Sequence, residues 1–376
     1  MTTSEFPVYA RRDIEIIGGN GIEARTADGR ILIDFYGGHA ALVLGLGHPS
    51  ILKALKQQSE RVFFQTNLVE STARKNAEQA LANFAPDGLD RVFLVNSGAE
   101  ANENALRLAL RRGEGQQVIA LEGGFHGRTA AAAACTHRAT ERWYGFPRTP
   151  FDVSFVPPND TAALRDAIGN DTAAFIFESV QGMGGALVLD TDYLQAAREL
   201  TLSHNALMIA DEVQCGMGRT GKNFAVEWSG VTPDIITSAK SLAAGFPAGA
   251  VIAQASLADD LDIGTLGTTF GGGPMASALI STVIREITPL IENVNILEER
   301  IRATCCVGPV KSIRGRGLLL GLELTRAAKE VTLELEERGF LLGGSAVPNI
   351  ARMMPPLILT SDHIDSLAAA LSELPS

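Results

Sequence analysis

Lys240 is the residue on which covalent chemistry is most readily built. It follows Asp234-Ile235-Ile236-Thr237-Ser238-Ala239, a β-branched run introduced by Pro233 that reads as a short strand. Small and apolar residues, Ser241-Leu242-Ala243-Ala244-Gly245, come next instead of a charged run. An amine in such surroundings loses hydration, its ammonium form is disfavoured and its pKa falls. The neutral amine is the form that attacks an aldehyde to give a Schiff base. A lysine at a strand end can also simply snorkel to solvent, so the rest of the chain has to decide.

Five other stretches bear on that decision. Ile209-Ala210-Asp211-Glu212-Val213-Gln214 ends an apolar run with two carboxylates and an amide. Carboxylates at the C-terminal ends of parallel strands lie where ligands bind in open α/β sheets, although solvated turn acids give the same pattern. Val92-Phe93-Leu94-Val95-Asn96-Ser97-Gly98-Ala99-Glu100 reads as a strand running into a helix, with Ser97 and Glu100 at capping-box spacing. A helix start made of Ser97, Gly98 and Ala99 presents free N–H groups and the positive dipole end, a cradle for phosphate as well as an ordinary cap. Phe125-His126-Gly127-Arg128-Thr129 sets an aromatic that can stack on a flat ring beside a guanidinium that can grip a carboxylate bidentately. Arg352, before Met353-Met354-Pro355-Pro356, is a second arginine in an apolar setting, and a buried arginine needs an anionic partner. Thr268-Thr269-Phe270-Gly271-Gly272-Gly273-Pro274 offers hydroxyls and backbone N–H groups as a second anion cradle.

One motif misleads. Gly216-Met217-Gly218-Arg219-Thr220-Gly221 matches G-x-G-x-x-G and follows a strand, but residues 222–232 are too few and too aperiodic to form the helix that a dinucleotide fingerprint needs. P-loop, H-E-x-x-H and G-x-S-x-G motifs are missing, and the six histidines show no metal-ligand spacing.

The elements that must hold these residues follow a clear rhythm. Apolar runs at 92–95, 117–121, 153–156, 173–177, 206–210, 235–239 and 249–253 alternate with helical or loop segments, which predicts an α/β layer with a mostly parallel sheet flanked by helices. Short runs at 14–17, 22–24 and 30–35 predict an N-terminal antiparallel meander, followed by a Gly- and His-rich loop at 36–49 and a helix opening at Pro49. Residues 276–305 predict one or two amphipathic helices. The tail, with strands at 310–314, 318–324 and 350–353 and helices at 327–338 and 361–372, predicts a small α+β unit packed with the meander. The expected division is a small domain from residues 1–48 and 291–376 and a large domain from 49–290.

Composition narrows the function classes. Lys and Arg total 32 against 43 Asp and Glu, a formal charge of −11, which argues against non-specific nucleic-acid or anionic-membrane binding. No apolar run reaches transmembrane length and no secretory signal is read at the N-terminus. Four cysteines without a C-x-x-C pair fit a reduced, cytoplasmic setting.

In this order the stretches resemble the class III, ornithine/acetylornithine-type aminotransferases, pyridoxal-phosphate enzymes of fold type I. The resemblance rests on Asn96-Ser-Gly-Ala-Glu-Ala-Asn-Glu-Asn-Ala-Leu, Phe125-His-Gly-Arg-Thr, Glu178-Ser-Val-Gln-Gly, Asp211-Glu-Val-Gln, Ala239-Lys-Ser-Leu, Thr268-Thr-Phe-Gly-Gly, Arg314-Gly-Arg-Gly and Arg352-Met-Met-Pro-Pro-Leu. It implies pyridoxal 5'-phosphate bound covalently at Lys240, which also shuttles the proton of the reaction. Asp211 is then the partner of the pyridine nitrogen and Gln214 of the phenolic oxygen, with Val213 and Phe125 on either side of the ring. Ser97, Gly98 and Ala99 hold the phosphate, and in a homodimer Thr268 and Thr269 serve the phosphate of the other subunit. Arg128 matches the anchor for the substrate carboxylate. The implied reaction moves the ω-amino group of an N-acylornithine to 2-oxoglutarate by ping-pong half-reactions.

Three positions depart from the family pattern. Met183, in Gln181-Gly182-Met183-Gly184-Gly185, stands where the family often carries a glutamate that pairs with the arginine matching Arg352. Without it, Arg352 is expected to be permanently available to a carboxylate, which favours a second acid group or an acylated donor. Leu46 stands where relatives usually carry histidine, and Gly273 replaces a frequent asparagine. Rival readings are the same chemistry on 4-aminobutyrate, ornithine, or a diamine or amine with pyruvate as acceptor, an aminomutase or decarboxylase, and a cofactor-free binding protein on the same scaffold.

Overall fold

The computed structural model describes residues 6–112 and 115–376. The reading of the N-terminus, and the start of the expected small domain, touch residues 1–5, which lie outside the described residues. The seven apolar runs form one sheet, in the spatial order Arg91–Val95, Gly249–Ala253, Ile235–Ser238, Leu207–Asp211, Thr172–Phe177, Gln117–Leu121 and Asp152–Val156. Pairing is parallel except at Gly249–Ala253, which is antiparallel to both neighbours.

Thr172–Phe177 and Leu207–Asp211 are buried at every residue. Successive side chains enter opposite layers: Met208 and Ala210 join the larger core cluster, with Leu81, Leu194 and Leu279 from helices, while Leu207 and Ile209 join Ala101, Ala105 and Leu106 of the helix Gly98–Arg112. A strand covered on both faces has no polar side to show, so it reads as a continuous apolar run.

Six strands of this sheet run the same way, so the residues that follow each of them fall at one carboxyl edge. Ser97 follows Arg91–Val95, the 123–128 loop follows Gln117–Leu121, Glu178 follows Thr172–Phe177, Asp211 ends its strand and Lys240 lies just beyond Ile235–Ser238. That edge is where open α/β sheets hold ligands. The Gly216–Gly221 stretch runs through turns into a short 3-10 turn, Ala225–Ser229, with no helix at its start.

The meander Ile16–Asn20, Glu23–Thr26 and Ile31–Asp34 gains a fourth strand, Phe340–Leu341, which pairs in parallel with Ile31–Asp34 through Phe340–Ile33 and Leu341–Asp34. This short strand ties the two ends of the chain together. The rest of the tail forms an antiparallel sheet, Val310–Arg316, Leu319–Leu324 and Ile350–Met353, with helices Ala328–Glu337 and Ser361–Ser372. Between meander and helix Pro49–Ser59, the loop carries four successive left-handed residues, Gly37, Gly38, His39 and Ala40. Asp34 Oδ1 accepts the N–H groups of Tyr36 and Gly37, each at 2.8 Å, and the Ser241 hydroxyl donates to the Ala40 carbonyl at 2.5 Å. At Gly37 any Cβ would land on the Met354 carbonyl oxygen. Among the described residues no helix is long and apolar enough to cross a membrane.

Candidate active site

Asp211 is 2% exposed and held from three sides. Its Oδ2 accepts from Asn102 Nδ2 at 2.8 Å and from His126 Nδ1 at 2.7 Å, and its Oδ1 accepts the Val213 N–H at 3.0 Å. Asn102 comes from the buried face of helix Gly98–Arg112; it also accepts from the Thr237 hydroxyl at 2.7 Å and donates to the His126 carbonyl at 2.7 Å. Two carboxylate oxygens offer about four acceptor sites, so a fixed carboxylate keeps capacity for one more donor. Burial alone lowers the pKa of His126, but the hydrogen bond and charge of Asp211, with Glu178 behind, raise it overall. Glu178 is itself buried and accepts the Phe125 N–H at 3.1 Å. Burial, then the Asp211 charge, push its carboxyl up to about 7 against the opposing pull of His126 and Lys240. Glu212 faces away from this group and accepts the N–H groups of Ala225 at 2.9 Å and Val226 at 2.7 Å.

Lys240 is half-buried and sits at φ +46°, as unusual for a lysine as φ +52° is for Ala244 four residues on. Non-glycine residues in that region cluster at functional sites, where the surrounding structure enforces them. Desolvation lowers the pKa of Lys240 although Asp211 and Glu178 push the other way; Arg352 adds to the lowering.

Lys240, Asp211, Val213, Phe125 and Arg128 line a cavity of about 410 Å³ that the helix start at Ser97–Ala99 also borders. Every helix leaves its first N–H groups without internal partners, and these are the ones that border the cavity. At Ser97 the hydroxyl accepts the Glu100 N–H at 3.2 Å, but the Glu100 carboxylate reaches back to the Asn96 N–H at 2.6 Å. The capping box read from the sequence is therefore shifted by one residue on its carboxylate side. A Cβ at Gly98 would lie 2.8 Å from Val213 Cγ1, and one at Gly127 would lie 2.8 Å from Ala99 Cβ. The cavity wall thus stays thin where a planar ring and a phosphate need room. Aldehyde-reactive amine, fixed carboxylate, aromatic wall and anion cradle together fit pyridoxal phosphate.

Arg352 is 2% exposed. Its Nε donates to the Gly344 carbonyl at 2.6 Å and its Nη1 to Gln214 Oε1 at 3.1 Å, while Gln214 Nε2 donates to the His39 carbonyl at 3.2 Å. Burial lowers the pKa of Arg352, against the pull of Tyr36 and Glu178. Among the described residues no carboxylate forms an ion pair with it. Gly182 runs so close to this pair that a Cβ would fall on Gln214 Oε1 and lie 3.4 Å from Arg352 Nη1. Met183 is half-buried beside it, its carbonyl accepting the Ala346 N–H at 3.0 Å. Arg128 is exposed at the cavity, its guanidinium carbon 4.4 Å from the Trp143 ring centroid and 5.8 Å from that of Phe125.

One chain does not bring every expected residue together. Thr268 and Thr269 line a separate cavity with Asn67, Leu68 and Ile263, and the Thr268 hydroxyl accepts the Gly271 N–H at 3.0 Å. Conversely, Asn102, His126 and Glu178 had no assigned role in the sequence and prove central. A single asparagine among Ala101, Ala105, Leu106 and Ala109 on the buried face of a helix was the available signal. Among the described residues no cluster of metal-ligating side chains occurs.

Known proteins agree with this geometry. The family model for class-III aminotransferases matches residues 9–374. An acetylornithine aminotransferase of Methanocaldococcus jannaschii is 38% identical, over 98% of this chain and 94% of that protein. A succinylornithine transaminase/acetylornithine aminotransferase of Pseudomonas aeruginosa is also 38% identical, over 96% and 92%. Among solved structures, an ornithine aminotransferase of Toxoplasma gondii superposes with a TM-score of 0.91 at 30% identity, covering 98% of this chain and 91% of that one. An acetylornithine aminotransferase of Elizabethkingia anophelis gives 0.87 at 28% identity, over 98% and 95%. The chain belongs to the class-III aminotransferases. It is a pyridoxal-phosphate-dependent transaminase of fold type I acting on small molecules.

Proposed function

We propose that the protein moves the ω-amino group of an N-acylornithine, acetyl- or succinylornithine, to 2-oxoglutarate, giving the semialdehyde and glutamate in two half-reactions at one site. The observation that carries the substrate choice is Arg352, a buried cation turned to Gln214 and without a carboxylate partner among the described residues. A cation in a poorly hydrated site repels a free α-ammonium group and attracts a carboxylate. Acylation removes that ammonium, and 2-oxoglutarate supplies the carboxylate. The names of the Methanocaldococcus and Pseudomonas relatives point the same way.

Bound pyridoxal phosphate supplies the electron sink for the carbon that loses its proton. This chain's residues do the rest. Lys240 Nζ, whose ammonium form desolvation disfavours, takes that proton and hands it on. Asp211, fixed by Asn102 and His126, holds a proton on the ring nitrogen. Gln214 meets the phenolic oxygen, Phe125 and Val213 confine the ring, and Ser97, Gly98 and Ala99 hold the phosphate. Arg128 grips the carboxylate far from the reacting carbon, the α-carboxylate of the acylornithine and the C5 carboxylate of 2-oxoglutarate.

The same reading includes a homodimer in which Thr268 and Thr269 of one subunit serve the phosphate of the other. Leu68, Ile263 and Phe270, exposed around the threonine turn, support a covering subunit. It also includes the division at 48/49 and 290/291, supported by the separate sheets at the two ends, and a cytoplasmic location, supported by four unpaired cysteines.

The test is kcat/KM with 2-oxoglutarate for N-acetylornithine, N-succinylornithine, ornithine and 4-aminobutyrate, in the native chain and in Met183→Glu. An acylated donor is expected to lead in the native enzyme, and the variant to shift toward ornithine or 4-aminobutyrate. Native preference for a free ω-amino acid, or an unmoved preference in the variant, would sink the substrate assignment.

A further inference from the structure

We propose that Trp143 is a positioning residue for substrate carboxylates, acting by holding the Arg128 guanidinium flat on its ring; this rests on reading Arg128 as the carboxylate anchor. Arg128 is exposed, and none of the ion pairs among the described residues includes it. What it has instead is π-faces, with its guanidinium carbon 4.4 Å from the Trp143 centroid and 5.8 Å from that of Phe125. Stacking fixes the plane of a guanidinium while leaving its N–H edge free, and that edge is the part that binds a carboxylate bidentately. A carboxylate partner from the protein would hold the arginine as well, but it would occupy the same edge.

The chain builds Trp143 for this position. Arg138 takes a left-handed conformation, φ +59°, and starts the single turn Ala139–Arg142; the Trp143 N–H then caps back on the Ala139 carbonyl at 2.9 Å. The indole packs on Ala133, Ala134 and Tyr144, and the Tyr144 hydroxyl donates to the Ala130 carbonyl at 2.9 Å. The buried helix Ala130–Ala134, close behind Arg128 in sequence, therefore supports the tryptophan, and the tryptophan supports the arginine. Phe125 already faces the ring site, so Trp143 is the aromatic left to serve Arg128.

The experiment compares Trp143→Phe, Trp143→Leu and Arg128→Ala in the holoenzyme, measuring kcat and KM for N-acetylornithine and 2-oxoglutarate separately. Leucine keeps apolar bulk but has no quadrupole, so KM should rise about 5- to 10-fold for both substrates with kcat nearly unchanged. Phenylalanine should restore most of the affinity. A second readout uses single-tryptophan protein carrying Trp228→Phe: Arg128→Ala should shift the Trp143 emission, which a merely structural Trp143 has no reason to show. Trp143→Leu with both KM values within twofold of native, or an unmoved emission, overturns the proposal while an Arg128→Ala defect still stands. If Arg128→Ala leaves both KM values unchanged, the anchor reading falls first.

Discussion

The two walls of the active site are built on opposite principles. On the cofactor wall, Asp211, Asn102, His126 and Thr237 form one buried network in which both carboxylate oxygens have donors. On the proposed substrate wall, Arg128 lies on aromatic faces and Arg352 on an amide and a carbonyl oxygen, neither paired with a carboxylate among the described residues. The cofactor is the same in both half-reactions, so its groups gain from being fixed in advance. The substrate wall meets two molecules in turn, and cations left unpaired can answer to either. Pairing is what prepares one wall, and its absence is what prepares the other.

The sharpest way to break this comparison is to unpair the cofactor wall. His126→Phe keeps a ring of similar size but leaves Asp211 without its closest donor. Leaving a buried carboxylate without a hydrogen-bond donor costs about 3 kcal/mol or more. Denaturant unfolding should show a loss of that order, together with weaker retention of pyridoxal phosphate on dialysis. A loss under about 1 kcal/mol, the range of exposed pairs, would mean that the network is ornamental.

That network also marks how far the sequence could be read. Asp211 and Lys240 were legible because each follows an apolar strand run and breaks its pattern. His126 sits in a stretch already singled out, yet its partner is 85 residues away, and only the fold brings them together. The Phe340–Leu341 strand was invisible for another reason: two residues are too few to show a period. The arginines were named from the sequence, but whether Arg352 faced the site depended on the Ile350–Met353 register and on Gly182 leaving room beside Gln214. The S-x-x-E spacing gave the helix start but could not say that Glu100 reaches Asn96 instead of Ser97.

A smaller effect sharpens the contrast with a carboxylate that belongs to neither wall. Burial pushes Glu212 up to about 7 from an ordinary 4.5, even though it accepts two backbone N–H groups and the Cys215 thiol. A carboxyl whose folded pKa is raised favours the protonated form. Its stability contribution is fully present below the unfolded value and is lost as pH rises through about 7. The span corresponds to about 3 kcal/mol. Native protein should therefore lose stability between roughly pH 4.5 and 7 from this group, and Glu212→Gln should flatten that part of the profile. The glutamine cannot accept both N–H groups, so the variant starts lower by about 1–3 kcal/mol. Parallel profiles for the two proteins would remove Glu212 as the cause.

Arg352→Ala tests the substrate wall with the smallest of the three effects. If its guanidinium meets the carboxylate beside the reacting carbon of 2-oxoglutarate, removal should raise KM for that acceptor about 10- to 100-fold, in line with roughly 1.5–3 kcal/mol for a charged hydrogen bond. N-acetylornithine has no carboxylate beside its reacting carbon, so its KM should move far less. Gln214 also loses its donor in this variant, and a misplaced Gln214 would slow both half-reactions alike. Arg352→Lys separates the two causes, because a point charge keeps attraction for the carboxylate without the planar fork. A defect confined to 2-oxoglutarate and partly recovered by lysine keeps Arg352 as a free cation awaiting its substrate. A defect equal for both substrates, unrelieved by lysine, would instead make Arg352 a support for Gln214 and move it to the paired wall.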